Sequence, residues 1–149
     1  MRQLAYKNYT FEFKNTENKV RIFDIIRKKY VILTPEEWVR QHVIHFLIEE
    51  KKYPKSLIAV ERVLKINRLQ KRFDIAVFHP NGNINLIVEC KSYKVNITQA
   101  TFDQIARYNL ALNSDLLMVT NGLAHYFCKV DSLKEKYIFL ETLPQYNAQ

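Results

Sequence analysis

The dipeptide Asn81-Gly82, between two runs of β-forming residues, constrains the fold more than any other feature of this sequence. The first run covers residues 72–78 and the second covers 84–91. Asn-Gly favours a two-residue hairpin turn of type I′, because both central residues of that turn need a positive φ. The sequence therefore predicts an antiparallel hairpin whose register is set by this turn.

Asp74 and Glu89 are equally distant from the predicted turn, which puts them opposite each other on one face of the hairpin. Lys91, two residues after Glu89, should share that face. Two carboxylate ligands beside an ammonium group suit a Mg²⁺ ion that activates water next to a phosphate. The alternative is an exposed ladder in which Lys91 neutralises both acids. The continuous apolar run 86–88 argues against it, because charges at the end of a buried strand need a partner or a metal.

The net charge of +8 over 149 residues suggests an anionic partner, most simply nucleic acid, although a basic protein without such a partner is the alternative. Residues 1–33 hold eight Lys and Arg against three acids, and residues 62–72 hold five and no acid. The two cysteines are too few for a disulfide framework and fit a reducing compartment, so we expect a cytoplasmic protein. No run of 18 apolar residues occurs, and we expect no membrane partner.

Thr34, Pro35 and Glu37 form a strong helix start, with an N-cap, a proline at N1 and a capping-box acid at N3. The helix should continue to about residue 52. On a helical wheel Glu36 points towards the apolar face and Glu37 points away, so we expect Glu36 to face inward. The alternative is that both acids only favour the positive end of the helix dipole.

The rest of the chain alternates strand and helix patterns and predicts a mixed α/β fold. A small N-terminal hairpin is expected from residues 9–13 and 20–23. A helix is predicted at about 98–112. Further strands are predicted at 57–64, 116–120, 124–130 and 137–140.

Several segments together resemble a known family. Asp74 followed by Glu89-Cys90-Lys91 is similar to the D…(D/E)-x-K core of the PD-(D/E)xK nuclease superfamily, with Phe73 in place of the proline. Residues 104–108 resemble the Q-x-x-x-Y motif of its RecB-like branch. With Leu33–Glu37 and Val119–Gly122, the chain resembles the N-terminal nuclease domain of type I restriction enzyme R subunits, over roughly residues 22–131.

The resemblance implies a single nuclease-like domain spanning residues 1–149. Its restriction-endonuclease-like core, a central mixed β-sheet flanked by helices, should occupy about 34–131. Residues 1–33 would form the N-terminal hairpin extension, and residues 132–149 a C-terminal strand and tail. The implied activity is Mg²⁺-dependent DNA cleavage by phosphodiester hydrolysis, with Mn²⁺ as a substitute.

The resemblance also implies roles for individual residues. Asp74, Glu89 and the Cys90 backbone carbonyl would hold the metal, with Glu36 approaching it. Lys91 would stabilise charge or orient the nucleophile, and Gln104 would lie near that lysine or the DNA phosphate. From the charge pattern itself, the expected DNA-binding residues are Lys65, Arg68, Lys71 and Arg72, and the motif adds Tyr108.

Two other functions stay open at this point. The chain could be a non-catalytic nucleic-acid-binding module, or a subunit of a restriction or repair complex. A weaker alternative is a toxin-like or repair nuclease that acts on DNA ends. No P-loop motif occurs, so ATP-driven translocation would need a separate motor, and methyltransferase or specificity subunits are further expected partners. The sequence leaves open whether the chain acts as a homodimer.

Overall fold

The computed structural model describes residues 1–66, 68–131 and 133–147. Two helices flank a six-stranded sheet, and a separate three-stranded sheet lies near the N-terminus. The small sheet consists of β1 (Phe13–Thr16), β2 (Lys19–Asp24) and β3 (Lys29–Ile32). The large sheet consists of β4 (Ile58–Ile66), β5 (Leu69–Phe78), β6 (Ile84–Cys90), β7 (Leu116–Thr120), β8 (His125–Asp131) and β9 (Lys136–Leu140). The helices are α1 (Pro35–His45), which continues as a π-helical turn over Phe46–Glu50, and α2 (Gln99–Leu110).

The large sheet is mixed, which confirms the predicted α/β class. Its strands lie in sequence order, β4-β5-β6-β7-β8-β9, and all neighbours are antiparallel except β6 and β7. Parallel neighbours need a crossover connection, and α2 provides it. Within the described residues, no helix has the length and apolar character needed to cross a membrane.

A separate hydrophobic cluster covers each face of the large sheet. On one face α1 packs Val39, Val43 and Leu47 into a core with Ile75 and Val88. On the other face α2 packs Phe102 and Ala106 into a second core with Phe73, Ile87 and Val119. Because β5 and β6 are covered on both sides, their run of apolar residues is continuous, as expected for a central strand.

The N-terminal hairpin is present and is extended by a third strand, β3. Glu17 and Asn18 join β1 to β2 and both have positive φ, 54° and 61°, as a two-residue hairpin turn requires. The first strand begins at Phe13, later than the predicted 9–13. The next connection, after Asp24, turns back against α1.

The central hairpin has the predicted register but not the predicted turn. Ile75 pairs with Val88 and Val77 with Leu86, which is the register that an Asn81-Gly82 loop would give. The actual turn is wider: the Gly82 amide donates to the His79 carbonyl at 2.9 Å, and Gly82 has φ 92°. Phe78 then pairs with Ile84, so Asn85 is an extra residue in β6. This bulge offsets the wider turn by one position and restores the register.

Candidate active site

Three carboxylates lie in a row across strands β4, β5 and β6. Asp74 is on the middle strand. The β4–β5 register, with Val60 opposite Ile75 and Arg62 opposite Phe73, puts Glu61 beside Asp74 on one side. The β5–β6 register puts Glu89 beside Asp74 on the other side, as predicted from the hairpin. We call Glu61, Asp74 and Glu89 the acidic row; Glu61 was not among the residues predicted from the sequence.

The backbone changes direction at the acidic row. Glu61 has φ 54°, a left-handed conformation that non-glycine residues rarely adopt. Strict alternation would put Phe73 and Ile75 on the same face, yet Phe73 packs on the α2 side and Ile75 on the α1 side. The twist at Glu61 and Asp74 therefore lets carboxylates from adjacent strands meet side chains from both faces.

The guanidinium of Arg40 on α1 is the cation closest to Asp74. It donates to Asp74 Oδ1 at 2.8 Å and to Glu61 Oε1 at 2.6 Å. It also donates to Glu37 Oε1 at 2.7 Å and to Glu36 Oε1 at 3.3 Å. Arg40 is buried, with 6% of its surface exposed. It lies near the start of α1, which Thr34 caps by accepting a hydrogen bond of 3.0 Å from the Glu37 amide.

The second oxygen of Asp74 is held by the backbone of β6. Asp74 Oδ2 accepts a hydrogen bond of 2.8 Å from the Cys90 amide. Both oxygens of this carboxylate are thus engaged, one by a backbone donor and one by Arg40. The Cys90 thiol is buried in the α1 core.

Glu89 is paired with Lys71, a residue of β5. Lys71 Nζ lies 2.7 Å from Glu89 Oε1. The ammonium also lies over the rings of Tyr108 and Phe73, 4.4 and 5.1 Å from their centroids. Phe73 and Tyr108 stand on β5 and α2, so Lys71 is fixed between strand and helix.

Lys91 is at the edge of the site. Burial is the largest cause of the raised pKa of Glu36, and the charge of Lys91 only partly opposes it. The Lys91 ammonium forms no side-chain hydrogen bond or ion pair within the described part of the chain. The alternative of an exposed ladder in which Lys91 neutralises both acids therefore does not describe this structure. Asp74 is instead paired with Arg40 of α1, and Glu89 with Lys71, which lies three residues before Asp74 on β5.

The acids around this site disfavour one another's charge. Burial raises the pKa of Glu89; hydrogen bonding and charge from Lys71 lower it, while Asp74 raises it further. Burial likewise raises the pKa of Glu36, with Asp74 as the next cause. Carboxylates that repel one another in this way offer the hard oxygen donors that a divalent cation prefers. In residues 1–66, 68–131 and 133–147, however, no three His, Cys, Asp or Glu side chains are already arranged around a metal position.

The two glutamates at the start of α1 have exchanged their predicted places. Glu37 is buried and Glu36 is half-exposed, with 49% of its side chain accessible. The helical wheel was misleading because the N-terminal sheet covers a second side of α1. There Arg27 donates to both Glu37 oxygens at 2.9 Å. Glu36 still approaches the acidic row through Arg40.

Arg27 and Gln41 extend the charged contacts away from the site. Arg27 Nε donates to Asp24 Oδ2 at 2.7 Å, and Gln41 Nε2 donates to both Asp24 and Glu37. Burial alone would raise the pKa of Asp24, but hydrogen bonds from the Arg27 backbone, Gln41 and the Arg27 side chain lower it. A continuous chain of buried ion pairs thus joins the N-terminal sheet, through Arg27, Glu37 and Arg40, to Asp74.

The remaining predicted site residues are mostly on the surface. Gln104 is exposed on α2, whereas Tyr108, one turn later, stacks on Lys71. The motif tyrosine thus supports Lys71 and not Gln104. Lys65 and Arg68 are exposed at the end of the β4–β5 hairpin, and Arg72 lies 3.6 Å from Glu61 with most of its side chain accessible.

A family model matches the part of the chain that contains these residues. The family model described as "Type I restriction enzyme R protein N terminus" matches residues 35–144, from the start of α1 to beyond β9. No protein of curated function matches the chain. The matched range includes the acidic row, Arg40, Lys71 and all of α2, and it leaves out the three-stranded N-terminal sheet.

Proposed function

Because the chain belongs to the family of type I restriction enzyme R protein N termini, we propose that it is a Mg²⁺-dependent DNA endonuclease domain. The observation that carries the proposal is the buried opposition of Asp74 and Glu89 on adjacent central strands. A sheet interior disfavours such a pair unless a cation resolves the repulsion. The family supports a restriction-related, nuclease-like role, and the acidic row supports hydrolysis by a metal ion.

Asp74, Glu89 and the Cys90 carbonyl are the proposed ligands, and Glu36 is near enough to approach them. A bound Mg²⁺ supplies charge stabilisation at the phosphate and a water of lowered pKa. The chain's own residues do the positioning: the Cys90 amide fixes one Asp74 oxygen, and Lys71 fixes Glu89. Lys91 is left with an ammonium that can face a DNA phosphate.

DNA is the proposed substrate because of the charge distribution. The turn between β4 and β5 carries exposed Lys65 and Arg68, and its strands lead directly to Asp74 and Glu61. Contacts from such side chains to phosphates would set the position of the scissile bond without reading bases. The family supports a role within a restriction complex, so methyltransferase, specificity and motor subunits are the proposed partners.

Nicking of supercoiled plasmid tests this proposal. Wild-type protein with Mg²⁺ or Mn²⁺ should convert supercoiled DNA to open circles, and EDTA should stop the reaction. Asp74→Asn and Glu89→Gln should each remove cleavage while the circular dichroism spectrum stays unchanged. Gln104→Ala, at an exposed position of α2, should retain more activity than either. A wild type that never nicks DNA with either metal would overturn the proposal.

One observation favours a second function, a non-catalytic DNA-binding module. Arg40 and Lys71 already hold Asp74 and Glu89, so the acids can be satisfied without a metal. In that case the wild type and Asp74→Asn should bind DNA equally, and neither should bind Mn²⁺. Metal titration by calorimetry therefore separates the two functions.

A further inference from the structure

Arg40 supplies the positive charge between the carboxylates of Asp74 and Glu61. One terminal nitrogen, Nη2, reaches Asp74 Oδ1 at 2.8 Å and Glu61 Oε1 at 2.6 Å. These two acids lie on neighbouring strands, whereas Arg40 belongs to a helix packed on the sheet. The same nitrogen therefore bridges both acids, and it holds the carboxylate of Asp74, which would be a ligand of the proposed metal.

The contacts of Arg40 divide into two groups. Its Nη2 contacts the acidic row and makes a longer contact of 3.3 Å with Glu36. Its Nη1 donates to Glu37, a residue of its own helix, at 2.7 Å. Among the residues that the structure describes, the buried Nε has no hydrogen-bond partner. A purely structural buried ion pair normally satisfies all of its donors, since each unpaired one costs free energy. Because Nη1 is bound to Glu37 of the same helix, Arg40 remains attached to α1 when its contacts with the sheet are broken.

We propose that Arg40 is the resting counter-ion of Asp74 and Glu61, and that a divalent cation binds by displacing its guanidinium from these two carboxylates. This inference rests on the proposed metal-dependent function. Arg40 then acts as a positioning residue: its hydrogen bond to Oδ1 keeps the Asp74 carboxylate oriented when the metal is absent. Glu37 and the half-exposed Glu36 hold the displaced guanidinium near the site.

Competition of this kind lowers the apparent metal affinity. If the metal-competent arrangement is only a fraction of the population, the apparent dissociation constant rises by the inverse of that fraction. Removing the Arg40 charge should therefore tighten metal binding, which is the opposite of what the loss of a ligand or of a general structural support would do. The sign of the change distinguishes the proposal from a structural role.

Mn²⁺ binding by calorimetry tests the proposal with three variants. Arg40→Gln removes the charge, and Arg40→Lys keeps a charge that cannot span both acids and Glu37. Arg27→Gln is the matched control, because Arg27 belongs to the same buried ion-pair chain but does not contact the acidic row. Thermal unfolding with and without Mn²⁺ gives a second readout that does not depend on cleavage.

Arg40→Gln should bind Mn²⁺ more tightly than wild type, by on the order of tenfold, and Arg40→Lys by less. Both should lower the melting temperature without metal and show a larger rise when Mn²⁺ is added. Arg27→Gln should lower the melting temperature with no change in affinity. If Arg40→Gln is unfolded without Mn²⁺, recovery of its helical circular dichroism signal on Mn²⁺ addition supports the proposal. If that signal does not recover and Arg40→Lys binds Mn²⁺ with the affinity of wild type, the proposal is overturned.

Equal or weaker Mn²⁺ binding in both Arg40 variants, with clear binding by wild type, would overturn this inference and leave the proposed function standing. Absence of Mn²⁺ binding in wild type and in every Arg40 variant would overturn both. The two failures are therefore distinguishable in one set of titrations.

Discussion

The guanidinium of Arg40 and the carboxylate of Asp74, 34 positions apart in the sequence, are joined by a hydrogen bond of 2.8 Å. This bond crosses the interface between α1 and the central strand of the sheet. It links the helix start, where Thr34 fixes the position of Glu37, to the centre of the acidic row. The orientation of Asp74 thus depends on how α1 is capped and packed.

Lys71 should contribute to stability because it is the partner of a buried acid. We expect Lys71→Met to reduce the free energy of unfolding by about 1–3 kcal/mol, since Glu89 would lose its hydrogen-bonded cation while the aliphatic stem still packs on Phe73. Urea unfolding at neutral pH measures the effect. Lys65→Met is the control, because Lys65 is exposed, and it should change stability by less than about 0.5 kcal/mol. Equal stabilities of the two variants would contradict the assignment.

Glu61 should tolerate glycine better than alanine. Both substitutions remove the carboxylate, but only glycine adopts the φ of 54° without strain, so Glu61→Gly should be more stable than Glu61→Ala by about 1 kcal/mol. Glu36, in the first turn of α1, should show the reverse order, because glycine is unfavourable in a helix. Thermal unfolding of the four variants checks the prediction. If the alanine variant is more stable than the glycine variant at both positions, the left-handed backbone at Glu61 carries no strain.

The exposed basic residues of the β4–β5 hairpin should contact DNA phosphates. A Lys65→Ala/Arg68→Ala protein should bind duplex DNA more weakly, and its slope of log K against log salt should fall by roughly two. Lys129→Ala/Lys136→Ala, on strands β8 and β9, removes the same charge from another surface and serves as the control. If the control alone weakens binding, the footprint is not on this hairpin. An unchanged slope in both proteins would direct attention to residues 27–29.

His125 should make the attachment of the N-terminal segment sensitive to acid. Its Nε2 lies 2.8 Å from the Ala5 carbonyl, and burial lowers its pKa despite that hydrogen bond. The neutral ring therefore stabilises the fold fully above the unfolded pKa of about 6.5, and this contribution decreases as the pH falls towards the lower folded pKa.

When the pH is lowered from about 7 to about 5, the free energy of unfolding should therefore fall less in His125→Gln than in wild type. The measurement is urea unfolding at both pH values. His42, whose pKa is also lowered by burial, remains in both proteins, so the difference isolates His125. A parallel decline in the two proteins would contradict the prediction.

Local patterns were sufficient to predict the elements and the opposition of Asp74 and Glu89. Strand and helix periodicities depend on neighbouring residues, and so does the helix cap at Thr34. Arg40 and Glu61 were missed because their role depends on the packing of α1 against β4 and β5. In the sequence, Arg40 looks like a solvated helix residue; its spacing from Glu36 and Glu37 was the available signal.

The wrong positions of Glu36 and Glu37 have the same origin. A helical wheel assumes one covered face, but the N-terminal sheet brings Arg27 to a second face of α1. The hairpin turn was also predicted too narrow, since Asn-Gly does not distinguish a two-residue loop from a wider turn that ends in glycine. No local signal marks Asn85 as the residue that restores the register.

The bulge at Asn85 also makes the hairpin tip replaceable. His79 is fixed by Asp115, 2.6 Å from its Nε2, while residues 80–83 are exposed beyond it. The pairing of Val77 with Leu86 lies on the other side of the bulge, so a change at the tip should not alter how Asp74 and Glu89 are aligned. An epitope or a fluorescent-labelling peptide grafted between Pro80 and Asn83 would therefore report on this domain inside a larger assembly without displacing its acidic residues.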